Sequence, residues 1–215
     1  MKRSFTPENI DNPAVPDDLM GLVYADLAWI HRSLGNTRAL MSTLRNGRLP
    51  TRRILDIGCG HGQILAELRQ KLGVEVVGID LRKPAISVSG ILIIQADAAR
   101  DPLPRCDTAI AVCVAHHLLD HELVALIRNV GRSCDRFIIL DLVRHLLPLV
   151  LFRLFVAPLL HPVNAADGAS SIRRSYEPEE LGSLVRSALD GSDATFRHDV
   201  NRCFIRQIVD ISYRP

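Results

Sequence analysis

The chain has 215 residues, 26 Lys and Arg against 24 Asp and Glu for a formal net charge of +2, and only 5% aromatic side chains. A near-balanced charge, scattered arginines and few stacking rings leave no footprint for nucleic acid, and the length suits one catalytic domain with extra segments. Cys59, Cys106, Cys113, Cys134 and Cys203 lack CxxC spacing, so neither a disulfide framework nor a zinc ribbon is expected, and a reduced, cytoplasmic location follows.

Residues 1–16 are polar, carry Pro7, Pro13 and Pro16, and lack the apolar core of a signal peptide. Asp17 to Leu44 reads as one or two amphipathic helices through Leu19, Leu22, Val23, Leu27, Ile30 and Leu34, broken near Gly35. Residues 1–50 are thus expected to form a helical cap on a catalytic domain spanning 51–215. Tyr24, Trp29 and His31 of the cap are candidates to line a substrate pocket, since the crevice of an open sheet needs a cover where water must be held off.

From Arg52 to Val143, short β-branched runs alternate with helical patterns, which predicts a parallel sheet wound with helices. The expected strands are Arg53–Ile57, Val74–Asp80, Ile91–Gln95, Thr108–Val114 and Arg136–Leu142. Helices are expected over Gln63–Lys71 and His121–Val130, the second with Asp120 as N-cap and Glu122 in its first turn. Arg144 to Tyr176 follows as a lid insertion, apolar at first and loop-like from Asn164 to Ser171. Its Leu146–Leu160 stretch is interrupted by Pro148, Arg153 and Pro158 and falls short of the roughly 20 residues that span a bilayer. A packed lid is therefore favoured over membrane contact. A helix over Pro178–Leu189 and two strands, Phe196–Asn201 and Phe204–Ile211, joined by a tight turn at Asn201–Arg202, close the chain. The expected fold is α/β, a Rossmann-like doubly wound sheet of about seven strands, mostly parallel with an antiparallel C-terminal strand.

The segment richest in chemistry is Ile54-Leu55-Asp56-Ile57-Gly58-Cys59-Gly60-His61-Gly62. A buried strand runs into glycines at alternate positions, where backbone must turn sharply and approach a ligand that a Cβ would block. A dinucleotide site prefers GxGxxG and no adjacent acid, since pyrophosphate seeks helix-end N–H groups. Here the turn reads GxGxG behind Asp56, an arrangement suited to a ligand bearing positive charge. Asp80 lies about 20 residues on, at the end of the second strand, where such folds place a ribose-binding carboxylate. Asp97 follows the third strand, so acids at three strand ends converge on one crevice.

Over Arg52 to Val143 these residues resemble the class I S-adenosylmethionine (SAM)-dependent methyltransferases. The histidine pair in Cys113-Val114-Ala115-His116-His117-Leu118 resembles their bacterial, quinone- or polyketide-associated small-molecule branch. The resemblance implies SAM as cofactor and S-adenosylhomocysteine (SAH) as product. It implies that Gly58, Gly60 and Gly62 pack on the methionine part, with Asp56 ahead of the turn and Cys59 within it as further cofactor contacts. It further implies that Asp80 holds the ribose, Leu81 flanks the adenine, Asp97 and Ala98 meet its edge, and Val114 lies by the amino group.

The partner expected from this likeness is a small molecule, most simply a phenolic or polyketide-type hydroxyl that is O-methylated. The alternatives are C- or N-methylation of a quinone, lipid or amine, and a scaffold that binds SAM without chemistry. A nucleic-acid methyltransferase is disfavoured, because no Asn/Asp-Pro-Pro-aromatic motif follows the fourth strand. His117 is the first candidate for a general base and His31 the second, since a neutral imidazole accepts a hydroxyl proton near physiological pH. His116, Arg173 and Arg174 are candidate substrate contacts. A metal cluster of His116, His117, Asp120 and His121 is weighed and set aside, so no metal is expected.

Overall fold

The computed structural model describes residues 1–9, 17–47, 50–82, 84 and 87–214. Pro13, Pro16 and the side chain of Leu19, used in reading the sequence, lie outside the described residues. The sheet is built from β1 (Arg53–Ile57), β2 (Glu75–Asp80), β3 (Leu92–Gln95), β4 (Cys106–Val112), β5 (Cys134–Leu142), β6 (Thr195–Val200) and β7 (Arg206–Ser212). Their order is β3-β2-β1-β4-β5-β7-β6. β1 to β5 pair in parallel, while β7 runs antiparallel to both β5 and β6. The order reverses between β1 and β4, and ligands of such sheets bind beyond the strand ends at that point.

Strand alternation divides the core into two layers. Ile54, Ile110 and Ile138 face one side, where Leu40, Met41 and Leu44 of helix α2 (Asn36–Arg45) and Leu68 of α3 (Gln63–Leu72) cover them. Leu55, Ala109, Phe137 and Ile139 face the other, under Leu123, Leu126 and Ile127 of α4 (Asp120–Ser133) and Leu181 and Val185 of α7 (Pro178–Leu189). Phe137 is fully buried. Phe137→Ala is expected to lower stability by about 3–5 kcal/mol, read as a shifted denaturant midpoint at unchanged slope.

The amphipathic pattern before the sheet resolves into α1 (Asp17–Ser33) and α2, separated at Gly35 as its left-handed backbone requires (φ 73°). Other expectations need correction. β4 stops at Val112 because Cys113 turns left-handed (φ 57°), which swings Val114 off the strand. Leu119, not Asp120, caps α4, with the Glu122 carboxylate accepting the Leu119 N–H at 2.9 Å. Asp120 instead accepts from Arg3 (2.7 Å) and from the Tyr176 hydroxyl (3.1 Å). Between β6 and β7 the turn is wider than a two-residue hairpin. Asn201 Oδ1 accepts from the N–H groups of both Ile205 and Arg206.

The insertion departs furthest from expectation. α5 (Leu146–Leu151) runs into a π-helical turn at Phe152–Val156, and the segment expected to be loop-like is helix α6 (Pro162–Arg174). Pro162 starts α6 at a position where its missing N–H costs nothing. Gly168 sits mid-helix because the Phe152 ring occupies the space of a Cβ. Asn164, Asp167 and Ser171 make a buried stripe at helical spacing, bonded to Asp26, Asn9 and Glu8 respectively. The stripe is polar, so hydrophobic periodicity does not reveal it. No helix among the described residues is long and apolar enough to cross a membrane.

Candidate cofactor and acceptor site

The chain leaves β1 through Gly58, Gly60 and Gly62, all left-handed (φ 69°, 52° and 87°). The Gly58 and Cys59 N–H groups both donate to the Ile79 carbonyl, at 2.8 and 3.3 Å, which ties the turn to β2. A Cβ on Gly58 would stand 2.5 Å from Val114 Cγ2, so this glycine lets the segment after β4 close against the turn. Gly62 ends the turn as the cap of α3.

Two acids flank this turn. Asp80 Oδ2 accepts the Gly60 N–H at 2.9 Å and Oδ1 accepts the Arg82 N–H at 3.0 Å, so the carboxylate is fixed by backbone on both sides. Asp56 is 2% exposed, and burial, reinforced by the charge of Asp80, holds its carboxyl well above the usual range. Burial likewise pushes the Cys59 thiol up, which makes it a packing group rather than a nucleophile. Tyr24 of α1 lies over the turn. Its ring is 4.3 Å from that of His61, and it stands 3.3 Å from where a Gly60 Cβ would be. The structure therefore puts Tyr24 at the glycine end of the crevice. After β3, Asp97 Oδ1 accepts the Ala99 N–H at 2.9 Å, Ala98 is buried, and Leu81 stands exposed at the rim.

These groups line one cavity of about 1290 Å³, shared with Val114, His116, His117, Glu8, His31 and the lid residues Leu151, Phe152, Phe155 and Val156. Its other corner is built by the short 3-10 turn Ala115–His117. The Asp141 carboxylate at the end of β5 grips that turn. Oδ2 accepts the His116 N–H at 2.9 Å and Oδ1 lies 2.7 Å from His116 Nδ1. Burial alone would raise the Asp141 pKa, but the facing His116 outweighs it and the carboxyl sits below its ordinary value. Glu8 reaches in from the N-terminal segment and accepts from the Ser171 hydroxyl at 2.8 Å. Its oxygens lie 3.7 Å from His116 Nε2 and 3.9 Å from His117 Nε2.

The remaining expected site residues divide, with His116 and His31 in the cavity wall and others outside it. His116, 3% exposed, has its ring nitrogens near Asp141 and Glu8. Burial pushes His31 down to about 4, beside Asn36 at 3.3 Å. Among the described residues the cavity wall leaves out Gly62, Trp29, Arg173 and Arg174, and a Cβ on Gly62 would meet Ile91 at 3.0 Å. Trp29 is exposed, Arg173 bonds the Ala169 carbonyl, and Arg174 bonds the carbonyls of Thr6 and His117. Of the four-residue metal cluster set aside above, Asp120 serves Arg3 and Tyr176 and His121 is exposed on α4. Sequence reasoning missed Glu8 and Asp141. Asp141 carries a signal, a lone acid in the apolar run Phe137 to Leu142, whereas nothing around Glu8 marks it.

Residues 54–136, from β1 to the start of β5, match the family described as methyltransferase domain. The segment is a methyltransferase domain. The chain is 32% identical over 159 residues to a ubiquinone biosynthesis O-methyltransferase of Burkholderia thailandensis, a match covering 66% of each chain. The corresponding protein of Alkalilimnicola ehrlichii is 54% identical over 43 residues, 20% of this chain and 17% of the relative. The chain thus spans slightly under two thirds of the first relative's length. In fold it resembles the plantazolicin methyltransferase BpumL solved with SAH, at a TM-score of 0.66 and 12% identity over 89% of this chain and 90% of that one. It also resembles magnesium protoporphyrin IX methyltransferase from Synechocystis PCC 6803 with bound SAM, at 0.55 and 16% over 94% and 100%.

The chain's own residues fit SAM as a cofactor. Gly58 and Gly60 put backbone without Cβ atoms on the cavity wall, and two acids in the same wall, Asp56 and Asp80, offer charge opposite to an ammonium and a sulfonium. Asp56, the glycine turn and Asp80 would hold the methionine and ribose parts, with Leu81, Asp97 and Ala98 toward the base.

Proposed function

We propose that this methyltransferase acts on the hydroxyl of a small aromatic acceptor of phenolic or polyketide type. One observation carries the reading: a single cavity holds the acid-flanked glycine turn and, in the same wall, the Glu8–His117 pair among apolar lid side chains. Pockets for one small ligand run to about 300–1,000 Å³, and this one is larger, as a site for both donor and acceptor must be. The relatives named as ubiquinone O-methyltransferases support a hydroxyl on an aromatic ring as acceptor.

SAM, when bound, supplies an electrophilic methyl group. Asp56 and Asp80 draw its positive charge to the glycine turn, and Tyr24 closes that end against water. Phe152 and Phe155 give the acceptor an apolar wall. His117 takes the hydroxyl proton at Nε2, and Glu8 beside it stabilises the imidazolium that results. His31, pushed down to about 4, is the weaker base.

Purified protein given SAM and a panel of phenols, catechols, amines and RNA is expected to methylate oxygen of the phenolic acceptors, identified by mass spectrometry. His117→Ala is expected to lower kcat about 10²- to 10⁴-fold with SAM affinity unchanged. Methyl found only on nitrogen, carbon or RNA would sink the acceptor assignment, and full turnover in His117→Ala would remove the base.

A further inference from the structure

We propose that Glu8, His116 and His117 form a binding site for one divalent cation of the zinc class at the acceptor corner of the cavity. The ligand atoms of the three residues all lie within 4.8 Å of one another. Zinc bonds of about 2.0–2.2 Å place neighbouring ligands roughly 3.3–3.5 Å apart. The His116–Glu8 and His117–Glu8 separations of 3.7 and 3.9 Å therefore need only a small contraction. Two imidazoles and one carboxylate suit zinc and its first-row neighbours, whereas calcium and magnesium demand oxygen.

The second observation is how His116 is held. Asp141 lies 2.7 Å from Nδ1 and also accepts the residue's backbone N–H, so the ring's orientation is fixed and its Nδ1 proton has an acceptor. When the ring is neutral with its proton on Nδ1, the Nε2 lone pair faces the Glu8 carboxylate 3.7 Å away, with both groups nearly fully buried. Two acceptors facing each other out of water call for a positive charge between them, which a metal ion supplies in place of a second proton on the ring. A carboxylate behind a ligating histidine is the usual support of a zinc ligand. Ser171 fixes Glu8 in turn, while the guanidinium of Arg174, on the His117 carbonyl, adds a positive charge that tempers affinity.

Three protein ligands leave a coordination position open, and His117, 29% exposed, brings it to the cavity. The site's role rests on the O-methylation reading. With the ion in place His117 is a ligand instead of the base it serves as in the metal-free site, and the ion lowers the pKa of an acceptor hydroxyl that binds it. The hydroxyl proton passes to water. The new O–C bond then forms as the S–C bond breaks and its electron pair returns to sulfur.

Full-length protein stripped with chelator and dialysed is titrated with Zn²⁺ by calorimetry and with Co²⁺ by visible absorption. One equivalent is expected to bind. Glu8→Gln and His117→Ala are each expected to weaken binding at least about tenfold, while His121→Ala, on exposed α4, binds as wild type. SAM binding by each variant verifies folding. No saturable binding, or equal binding in Glu8→Gln and His117→Ala, overturns the site. Methyl transfer to phenolic acceptors is then compared in stripped and Zn²⁺-loaded protein. A faster loaded rate supports the ion's role, and an equal rate overturns that role. Metal binding without transfer to any oxygen keeps the site and rejects the acceptor reading.

Discussion

Asp80→Ala is expected to weaken SAM and SAH binding at least about 100-fold and to reduce methyl transfer at subsaturating SAM in proportion. The Asp80 carboxylate does two things at once. It accepts the Gly60 and Arg82 N–H groups, and it sits in the cavity wall where the donor's ribose is expected. Hydrogen bonds to a charged partner contribute about 1.5–3 kcal/mol each, so losing the turn's anchor together with one ligand contact reaches the 100-fold range. Asp80→Asn keeps an acceptor for one N–H and should fall between wild type and Ala. Calorimetric titration reads all three proteins, and equal affinities would show that the acid merely decorates the turn.

That site was legible from sequence because its chemistry is local. Glycines that must be left-handed, an acid ahead of them and an acid at the next strand end stand within one βαβ stretch, and the structure brings Asp56, Gly58, Gly60 and Asp80 to one wall. The sheet was legible because buried strands alternate with amphipathic helices. Where a surface is polar and yet buried, the periodicity is silent. α6 shows this, since Asn164, Asp167 and Ser171 bury hydrogen-bonding groups that make a helix read as a loop. Glu8 shows a different failure. Its position depends on distant partners: Arg3 on the Leu118 and Arg174 carbonyls, the Ser4 N–H on Arg173, and Asn9 on Asp167. No spacing rule encodes such a strap. Tyr24 lines the cavity with its ring packed over Gly60, a position that only helix docking supplies.

Asp56→Asn separates stability from function more sharply than any other substitution here. The wild-type carboxyl is buried beside Asp80 and titrates well above its ordinary value, so in the fold its ionised form is disfavoured. An unfolded Asp ionises near pH 4, and the native state therefore loses stability as pH rises from there toward the raised native pKa. Asp141, whose pKa is depressed, has the opposite sign: its contribution is present at neutral pH and is lost on acidification. Removing the Asp56 charge should raise the melting temperature of the ligand-free protein at pH 7, by about 2–4 °C for each kcal/mol recovered. The gain should shrink toward pH 4. The same change removes an anion that opposes the donor's positive charge, an attraction of roughly 4 kcal/mol at 4 Å and an effective dielectric near 20. SAM affinity should thus fall by one to two orders of magnitude, and by more than that of SAH, which lacks the sulfonium charge. In wild type, SAM binding should strengthen as pH rises through the native pKa of Asp56, and in Asp56→Asn that dependence should flatten. Calorimetric melting between pH 4 and 8 and titration with both ligands test each part. A variant that melts lower than wild type at pH 7, or binds SAM as tightly, would mean that the buried acid serves packing and not the charge of the donor.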